Sequence, residues 1–277
     1  MLKLNNIDFK QLETKGFLVI PQFLDSIEVQ LFFEYYTEAK ARKDAAAVKN
    51  KNASVSFSPT PLFAKEKIDT LLKEVSAVTN LSVNFVYPSS TYFDSNYVQF
   101  GWHQDHDTYY MWQDSYNLLN CWIPIVKPDH DKSGLSVIPY DAIMPLLPEI
   151  AKDRLIGKGA KLFLTKDNKT VIRDDSVGDT ISLDFNIEDY KQTPSIRAGD
   201  LLLLRGDVIH KTQDISTARI AVSIRSCNAD YMLSKEVFYN QCSKKKLTVE
   251  NDTRGYKIFH DNFAATDFVA VREMFKK

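Results

Sequence analysis

The sequence is poor in cysteine and histidine and carries almost no net charge. Its three cysteines, Cys121, Cys227 and Cys242, form no CxxC pair. A sparse, odd cysteine count is typical of free thiols in a reducing compartment, so a disulfide scaffold is excluded. The 35 basic and 36 acidic residues leave a net charge of −1. This balance argues against a nucleic-acid partner held by phosphate contacts.

Long apolar runs are also missing. No stretch approaches the roughly 20 apolar residues that a membrane-spanning helix needs. The first nine residues carry polar and charged side chains, so they do not resemble a targeting segment. We therefore predict no membrane partner and a cytoplasmic location. Hydrophobic and charged fractions of 44% and 26% are those of a globular chain, which excludes disorder and fibrous repeats.

Helical periodicity is confined largely to the first 80 residues. Asp25 and Glu28 have the spacing of a capping box, which predicts a helix start. Two apolar faces at helical spacing follow. The first consists of Val29, Phe32, Phe33 and Tyr36, and the second of Ile68, Leu71, Leu72 and Val75.

From about residue 82 the pattern changes to short β-rich runs separated by turn residues. The predicted strands are 82–87, 91–100, 118–125, 135–138, 161–165, 170–173, 180–185, 201–204 and 220–224. Many short strands at this spacing favour an antiparallel sandwich or barrel over a parallel sheet. A helix is predicted over residues 142–152, although Pro145 and Pro148 would distort its interior.

The tripeptide His103-Gln104-Asp105 has the spacing of a metal site. Alternate residues of a strand point to the same side, so His103 and Asp105 can reach one ion. His210, at the end of a second strand-like run, is the natural third ligand. Two histidines and a carboxylate form the facial triad of non-haem iron oxygenases. On its own, His-x-Asp is a weak signal and also fits a histidine hydrogen-bonded to a surface aspartate.

A possible carboxylate-binding group follows nine residues after His210. Arg219 begins an alternating strand in which one face carries arginine and small residues. A turn across 211–218 predicts a hairpin that brings Arg219 beside His210, and a guanidinium binds a carboxylate with two hydrogen bonds. Thr212 shares the face of His210 and can donate its hydroxyl.

The run 117–125 predicts a strand with one polar-aromatic face. Asn120 and Trp122 point to the same side as Pro124, and apolar residues occupy the other side. A mid-strand amide beside tryptophan predicts a cavity lining. A core tryptophan next to a satisfied buried asparagine fits the same pattern.

These residues resemble the phytanoyl-CoA dioxygenase (PhyH-like) family of Fe(II)/2-oxoglutarate-dependent oxygenases. The matching stretches run in family order from residue 16 to about 226. They are GFLVIPQFL at 16–24, FGWHQD at 100–105, WIPI and SGLSVIP within 122–139, AGDLLLLRGDVIH at 198–210, and RIAVS at 219–223.

The resemblance implies a mainly β fold with flanking helices, the double-stranded β-helix (jelly-roll, cupin-like) barrel. It implies Fe(II), 2-oxoglutarate and O2 as cofactors, with release of succinate and CO2 as a small-molecule metabolite is hydroxylated. By position, His103, Asp105 and His210 match the iron ligands. Arg219 and Thr212 match the residues at the distal carboxylate of 2-oxoglutarate, and Trp122 and Phe100 match positions flanking it.

Other site residues are predicted from polarity and position. Asn120 is a further candidate for 2-oxoglutarate, and Asn84 and Gln99 are candidates for the substrate. Three aromatic residues just after the metal motif are candidates for a lid or substrate contact. They are Tyr109, Tyr110 and Trp112.

The resemblance also bears on reaction type and domain organisation. Related halogenases have a small residue where Asp105 stands, so hydroxylation is expected here, with desaturation or ring closure also open. Alternatives are a non-catalytic jelly-roll binding protein and a cupin-like metal enzyme of another reaction type. Because the matches span helical and β regions, we expect a single domain over 1–277. It would comprise a helical buttress (about 1–80), a jelly-roll core (about 82–226) and a C-terminal extension (about 227–277).

Overall fold

The computed structural model describes residues 4, 6–47, 56–95, 99–105, 115–157, 161–174, 179–228, 230, 232–233 and 266–267. The α-helices in this part of the chain are α1 (Gln11–Thr14), α2 (Ser26–Ala47), α3 (Leu62–Val78), α4 (Tyr140–Ile143) and α5 (Glu149–Leu155). The first strands are β1 (Phe17–Ile20), β2 (Ser56–Pro59), β3 (Phe85–Asp94), β4 (Leu118–Val126) and β5 (Leu135–Ile138). They are followed by β6 (Lys161–Lys166), β7 (Lys169–Asp174), β8 (Asp179–Leu183) and β9 (Leu201–Arg205). The last are β10 (Ile209–Thr212), β11 (Ile220–Cys227), β12 (Met232–Leu233) and β13 (Thr266–Asp267).

The largest sheet has six antiparallel strands in the order β1-β9-β4-β11-β3-β2. A second set of strands comprises the pair β10-β5 and the meander β6-β7-β8. His103 links the two parts of this set, because it forms antiparallel bridges with both Leu162 in β6 and His210 in β10. The order of the six-stranded sheet interleaves distant parts of the chain, so that sheet depends on long-range pairing, whereas β6, β7 and β8 pair with strands next to them in the chain.

Two hydrophobic clusters cover the two faces of the six-stranded sheet. On the outer face, the alternate residues Val222 and Ile224 of β11 pack in a cluster with residues of α2 and α3. On the inner face, Ala221 of β11 and Trp122 of β4 pack with Val137 of β5. The period-2 alternation of β11 therefore separates a helix-facing side from a barrel-facing side.

The helix predictions are confirmed in part. Glu28 N–H donates to the Asp25 carboxylate and Asp25 N–H donates to Glu28, both at 2.9 Å, so the capping box is formed. The second predicted face is buried throughout. In the first face, Phe33 is 37% exposed and is not a core residue. The buried side of α2 contains Phe32 and Tyr36 and is narrower than the predicted apolar face.

Three local predictions were wrong. The helix over 142–152 is instead a short α4, a 3-10 turn at Met144–Leu146 and α5, because Pro145 and Pro148 interrupt it. The separate strands 82–87 and 91–100 are one strand, β3, that continues through Pro88. The predicted hairpin between His210 and Arg219 does not form, since β10 pairs with β5 whereas β11 pairs with β3 and β4.

Within the part of the chain that the structure describes, no helix is both long and apolar enough to cross a bilayer.

Candidate metal centre

Three potential metal ligands converge between the two sheets. Donor atoms of His103, Asp105 and His210 all lie within 4.8 Å of one another. The Nε2 atom of His210 is 4.0 Å from Oδ1 of Asp105, and the two imidazole centroids are 4.3 Å apart. The predicted triad is therefore assembled in space, although its members come from two separate segments.

Backbone hydrogen bonds hold the His103–Asp105 segment in place on both sides. His103 and His210 exchange N–H···O bonds of 2.9 Å, and Asp105 N–H donates to the Gly206 carbonyl at 3.0 Å. On the other side, Gln104 N–H donates to the Lys161 carbonyl at 3.0 Å. The short segment is thus fixed between β6 and the β9–β10 region, with His103 and Asp105 on the same side.

Each histidine ring is oriented by a backbone carbonyl. Nδ1 of His103 lies 2.7 Å from the Gly101 carbonyl oxygen, and Nδ1 of His210 lies 3.0 Å from that of Val208. A carbonyl only accepts, so Nδ1 must carry a proton, and in the neutral ring the lone pair is then on Nε2. Neutral imidazole with a carbonyl on its other nitrogen is the usual arrangement of a metal-binding histidine.

The electrostatics of Asp105 also suit a metal ligand. Burial opposes its ionisation, but the positive charge of the nearby Arg225 guanidinium outweighs burial and lowers the pKa of the carboxyl. One guanidinium nitrogen of Arg225 is 3.8 Å from Oδ1 of Asp105. An ionised carboxylate with two neutral imidazoles fits a divalent transition ion such as Fe(II).

The triad opens into a cavity of about 390 Å³. Its wall is mainly apolar and aromatic, with a few polar groups, as in small-molecule sites. The residues that line it beside the triad are Phe93, Phe100, Gly101, Trp102, Asn120, Trp122, Leu135, Leu162, Phe163, Leu164, Thr212, Arg219 and Arg225.

Arg219 reaches this cavity from just before β11. Its side chain is buried, and one guanidinium N–H donates to the Ser133 carbonyl at 3.3 Å. Burial lowers the pKa of Arg219, opposed by the carboxylates of Asp94 and Asp214, but an arginine stays charged in proteins. Its Nε–H is buried without a hydrogen-bond partner in the described residues. Such a buried donor is costly unless a ligand accepts from it.

The other residues predicted around 2-oxoglutarate line the same cavity. Thr212 is buried, and its hydroxyl oxygen accepts from Phe100 N–H at 3.0 Å, which leaves its own O–H able to donate to a ligand. Trp122 is buried, whereas Phe100 is 44% exposed at the cavity edge. Asn120 also lines the cavity, but its amide is bonded to Asp105 and Ser223.

The predicted substrate residues are not brought together. Gln99 and Asn84 are exposed, and neither lines the cavity. Asn84 donates instead to the Asp230 carboxylate at 2.7 Å. Tyr109, Tyr110 and Trp112 lie outside the described residues.

Part of the cavity wall was not predicted from the sequence. Leu162, Phe163 and Leu164 come from β6, and Leu135 from β5. Their strands were predicted, but no local pattern indicates that β6 lies against the His103 segment. Arg225 could have been found, because it shares the parity of Arg219 along β11.

Comparison with solved structures identifies the fold. The chain is similar to SnoK, a non-heme alpha ketoglutarate dependent carbocyclase from nogalamycin biosynthesis, with a TM-score of 0.51 and 14% identity over 88% of this chain and 90% of SnoK. It is equally similar to EctD from S. alaskensis, in a structure with 2-oxoglutarate and 5-hydroxyectoine, with a TM-score of 0.51 and 15% identity over 83% of this chain and 80% of EctD.

These similarities establish the fold. The chain is a mainly β protein with flanking helices and has the jelly-roll, cupin-like fold of 2-oxoglutarate-dependent oxygenases. The predicted fold class is therefore confirmed. No protein-family model matches the sequence, and no curated protein matches it either. Membership of the phytanoyl-CoA dioxygenase family stays a prediction.

Proposed function

We propose that this chain is an Fe(II)/2-oxoglutarate-dependent dioxygenase that hydroxylates a small-molecule metabolite, consuming O2 and releasing succinate and CO2. The observation that carries the proposal is one cavity with two features. The His-Asp-His triad lies in it, and the buried guanidinium of Arg219 lines the same cavity. The structure of EctD with 2-oxoglutarate supports the cofactor assignment.

His103, Asp105 and His210 would hold Fe(II) through two Nε2 atoms and one carboxylate oxygen. Three protein ligands leave positions for a chelating cosubstrate and for O2. Iron and 2-oxoglutarate, when bound, supply the oxidising chemistry that replaces a substrate C–H bond by C–O–H. The protein's own part is to orient the ligands and exclude water.

Arg219 would bind the distal carboxylate of 2-oxoglutarate. Its Nε–H needs an acceptor, and a carboxylate supplies one in a charge-assisted hydrogen bond. Thr212 would donate its hydroxyl to the same carboxylate, and Trp122 and Phe100 would pack against the carbon chain. A non-catalytic binding protein, or a cupin-like enzyme of another reaction type, has no need for this arginine beside the triad.

Hydroxylation is favoured over halogenation because Asp105 supplies a carboxylate at the position where related halogenases have a small residue. Its oxygen lies close to both histidines, so it would occupy the coordination position that a halide needs. The apolar wall is suited to a small molecule with a hydrocarbon surface.

We also propose that residues 1–277 form one dioxygenase domain. The N-terminal third supplies β1 and β2 to the same six-stranded sheet as the core strands, through pairing of β1 with β9 and of β2 with β3. A separate N-terminal domain would not share a sheet with the core.

The test uses the purified full chain under anaerobic conditions. We expect that adding Fe(II) and 2-oxoglutarate produces the weak visible charge-transfer band of the chelate. His103→Ala should abolish the band, and His130→Ala should retain it, because His130 is about half exposed and lies outside the cavity. Absence of the band in the wild type, or its persistence in His103→Ala, would refute the proposal. Succinate release on a metabolite panel then identifies the substrate.

A further inference from the structure

The two carboxylate oxygens of Asp105 have different neighbours. Oδ2 accepts a hydrogen bond from Nδ2 of Asn120 at 3.3 Å. Oδ1 instead lies 4.0 Å from Nε2 of His210, the nitrogen that we assign to the metal. The carboxylate is therefore oriented with one oxygen toward β4 and the other toward the histidines.

The amide of Asn120 can adopt only one of its two orientations here. An ionised carboxylate accepts hydrogen bonds and donates none, so the NH2 end of the amide must face Asp105. The carbonyl end, Oδ1, then faces Ser223, whose hydroxyl donates to it at 2.6 Å. Asn120 and Ser223 are 5% and 1% exposed, so little water competes for these bonds.

This chain of hydrogen bonds crosses the barrel. Asn120 and Ser223 stand on neighbouring strands of the six-stranded sheet, where Ser223 pairs with Trp122 and Arg225 pairs with Asn120. Asp105 belongs to the segment beside the opposite strands. The strands β4 and β11 are therefore connected to Asp105 through the side chain of Asn120, which is not itself a member of the triad.

We propose that Asn120 and Ser223 are positioning residues that select Oδ1 of Asp105 as the metal-binding oxygen. This inference rests on the proposed function, because it assumes that the triad binds a metal. Asn120 holds Oδ2 and so favours binding through a single oxygen. Ser223 acts through Asn120 by keeping its amide in the required orientation. Groups that orient metal ligands in this way typically contribute about 10- to 100-fold to metal affinity.

The chain offers a matched control for Ser223. Ser226 lies three residues further along β11 and is also fully buried, but its hydroxyl makes no hydrogen bond within the described residues. Ser223→Ala and Ser226→Ala therefore remove the same atom from the same strand, and only the first breaks the connection to Asp105.

The experiment titrates the metal-free full chain with Co(II), which reports both affinity and ligand geometry through its visible absorption. We expect Asn120→Ala to weaken Co(II) binding by about 10- to 100-fold and to shift the absorption band. Ser223→Ala should have a smaller effect in the same direction, of several-fold, and Ser226→Ala should bind within about two-fold of the wild type. Thermal melting of each metal-free variant separates loss of folding from loss of positioning.

The possible failures are distinguishable. If Asn120→Ala and Ser223→Ala bind Co(II) as tightly as Ser226→Ala and show the same band, the positioning inference is wrong while the proposed function stands. A lower melting temperature with unchanged affinity and band would also overturn it, because the role would then be structural only. If the wild type does not bind Co(II), or His103→Ala binds it equally well, the proposed function itself fails. If Asn120→Ala does not fold, the Co(II) affinities and absorption bands of Ser223→Ala and Ser226→Ala test the positioning inference instead.

Discussion

His103 and His210 lie directly opposite each other and exchange both backbone hydrogen bonds, each 2.9 Å long. This pairing brings their rings to 4.3 Å between centroids, although the two residues are far apart in the sequence. In each ring Nδ1 contacts a backbone carbonyl, so Nε2 is the nitrogen left for a metal. The backbone hydrogen bonds therefore bring the two histidines of the candidate metal centre together without an ion.

The two cavity arginines should differ in their effect on 2-oxoglutarate. Arg219→Ala should weaken its binding by about 10- to 150-fold, because a charge-assisted hydrogen bond contributes roughly 1.5–3 kcal/mol. Arg225→Ala should weaken it much less, because the Arg225 guanidinium lies beside Asp105. Titration of the Fe(II) charge-transfer band with 2-oxoglutarate measures both dissociation constants. The reverse order would show that Arg225 is the cosubstrate-binding arginine.

The buried ion pair between Arg205 and Asp207, at the end of β9, should contribute strongly to the free energy of unfolding. Arg205 and Asp207 are almost fully buried and share two hydrogen bonds, of 3.0 and 2.5 Å. Arg205→Met should lower the free energy of unfolding by about 3–5 kcal/mol, because it leaves the Asp207 carboxylate buried without its charge partner. Chemical denaturation measures the loss.

The surface provides the control for that variant. Arg154 pairs with Asp179 at 2.8 Å, but their side chains are 28% and 54% exposed. Arg154→Met should therefore change the free energy of unfolding by only about 0–1 kcal/mol. Equal losses for the two variants would contradict the assignment of the Arg205–Asp207 pair as the stabilising one.

The Asp214 carboxylate should make the free energy of unfolding depend on pH in the acid range. Burial opposes its ionisation, but hydrogen bonds from Ser216 and Ser133 outweigh burial and lower its pKa to about 2. Because the folded pKa lies below the ordinary 3.8, its contribution is complete above about pH 4 and is lost as the pH falls toward 2. Partial solvation limits this contribution to about 1 kcal/mol.

Comparison with Asp214→Asn isolates that contribution. At pH 6 the wild type should be more stable than the variant in urea denaturation, and the difference should shrink between pH 4 and pH 3. A difference that stays constant over this range would mean that the carboxylate charge contributes nothing.

The N-terminal cap of α2 should stabilise the helix measurably. Asp25 accepts hydrogen bonds from the backbone N–H groups of Ile27 and Glu28, both at 2.9 Å. Asp25→Ala should therefore lower the free energy of unfolding by about 1 kcal/mol. Asp69→Ala, which removes a partly exposed pair with Lys65 in α3, should change it by no more than about 0.5 kcal/mol, because the higher helix propensity of alanine offsets the lost pair. Thermal or chemical denaturation compares the two, and a larger loss for Asp69→Ala would count against the cap.

Features that depend on neighbouring residues were predictable from the sequence. The capping box of α2 and the buried face of α3 follow from helical spacing, and both are confirmed. The strand 135–138 was predicted with the bounds it has. Alternation along β4 and β11 predicts which side of each strand faces inward, and Asn120 and Arg219 line the cavity as this alternation predicts. Their roles toward a ligand stay predictions.

Features that depend on strand partners were not predictable. The pattern after His210 predicted a hairpin with the strand of Arg219, but β10 pairs with β5 in the other set of strands. A turn-rich segment looks the same whether the following strand returns to its neighbour or crosses to the opposite sheet. Asn84 was a substrate candidate by polarity, yet it lies at an exposed strand end and bonds to Asp230.

The division between local and tertiary information has a physical basis. Local features depend only on residues that are close in the sequence. They are the helix and strand periods of 3.6 and 2 residues, the helix caps and the identities of the chemically active residues. Cysteine scarcity and balanced charge likewise limited the protein class before any fold was known. Only the tertiary structure decided that His103 pairs with His210, that β6 closes the cavity and that Ser223 reaches Asp105 through Asn120. These contacts join residues remote in the chain, and their selection depends on how whole sheets pack rather than on any single segment.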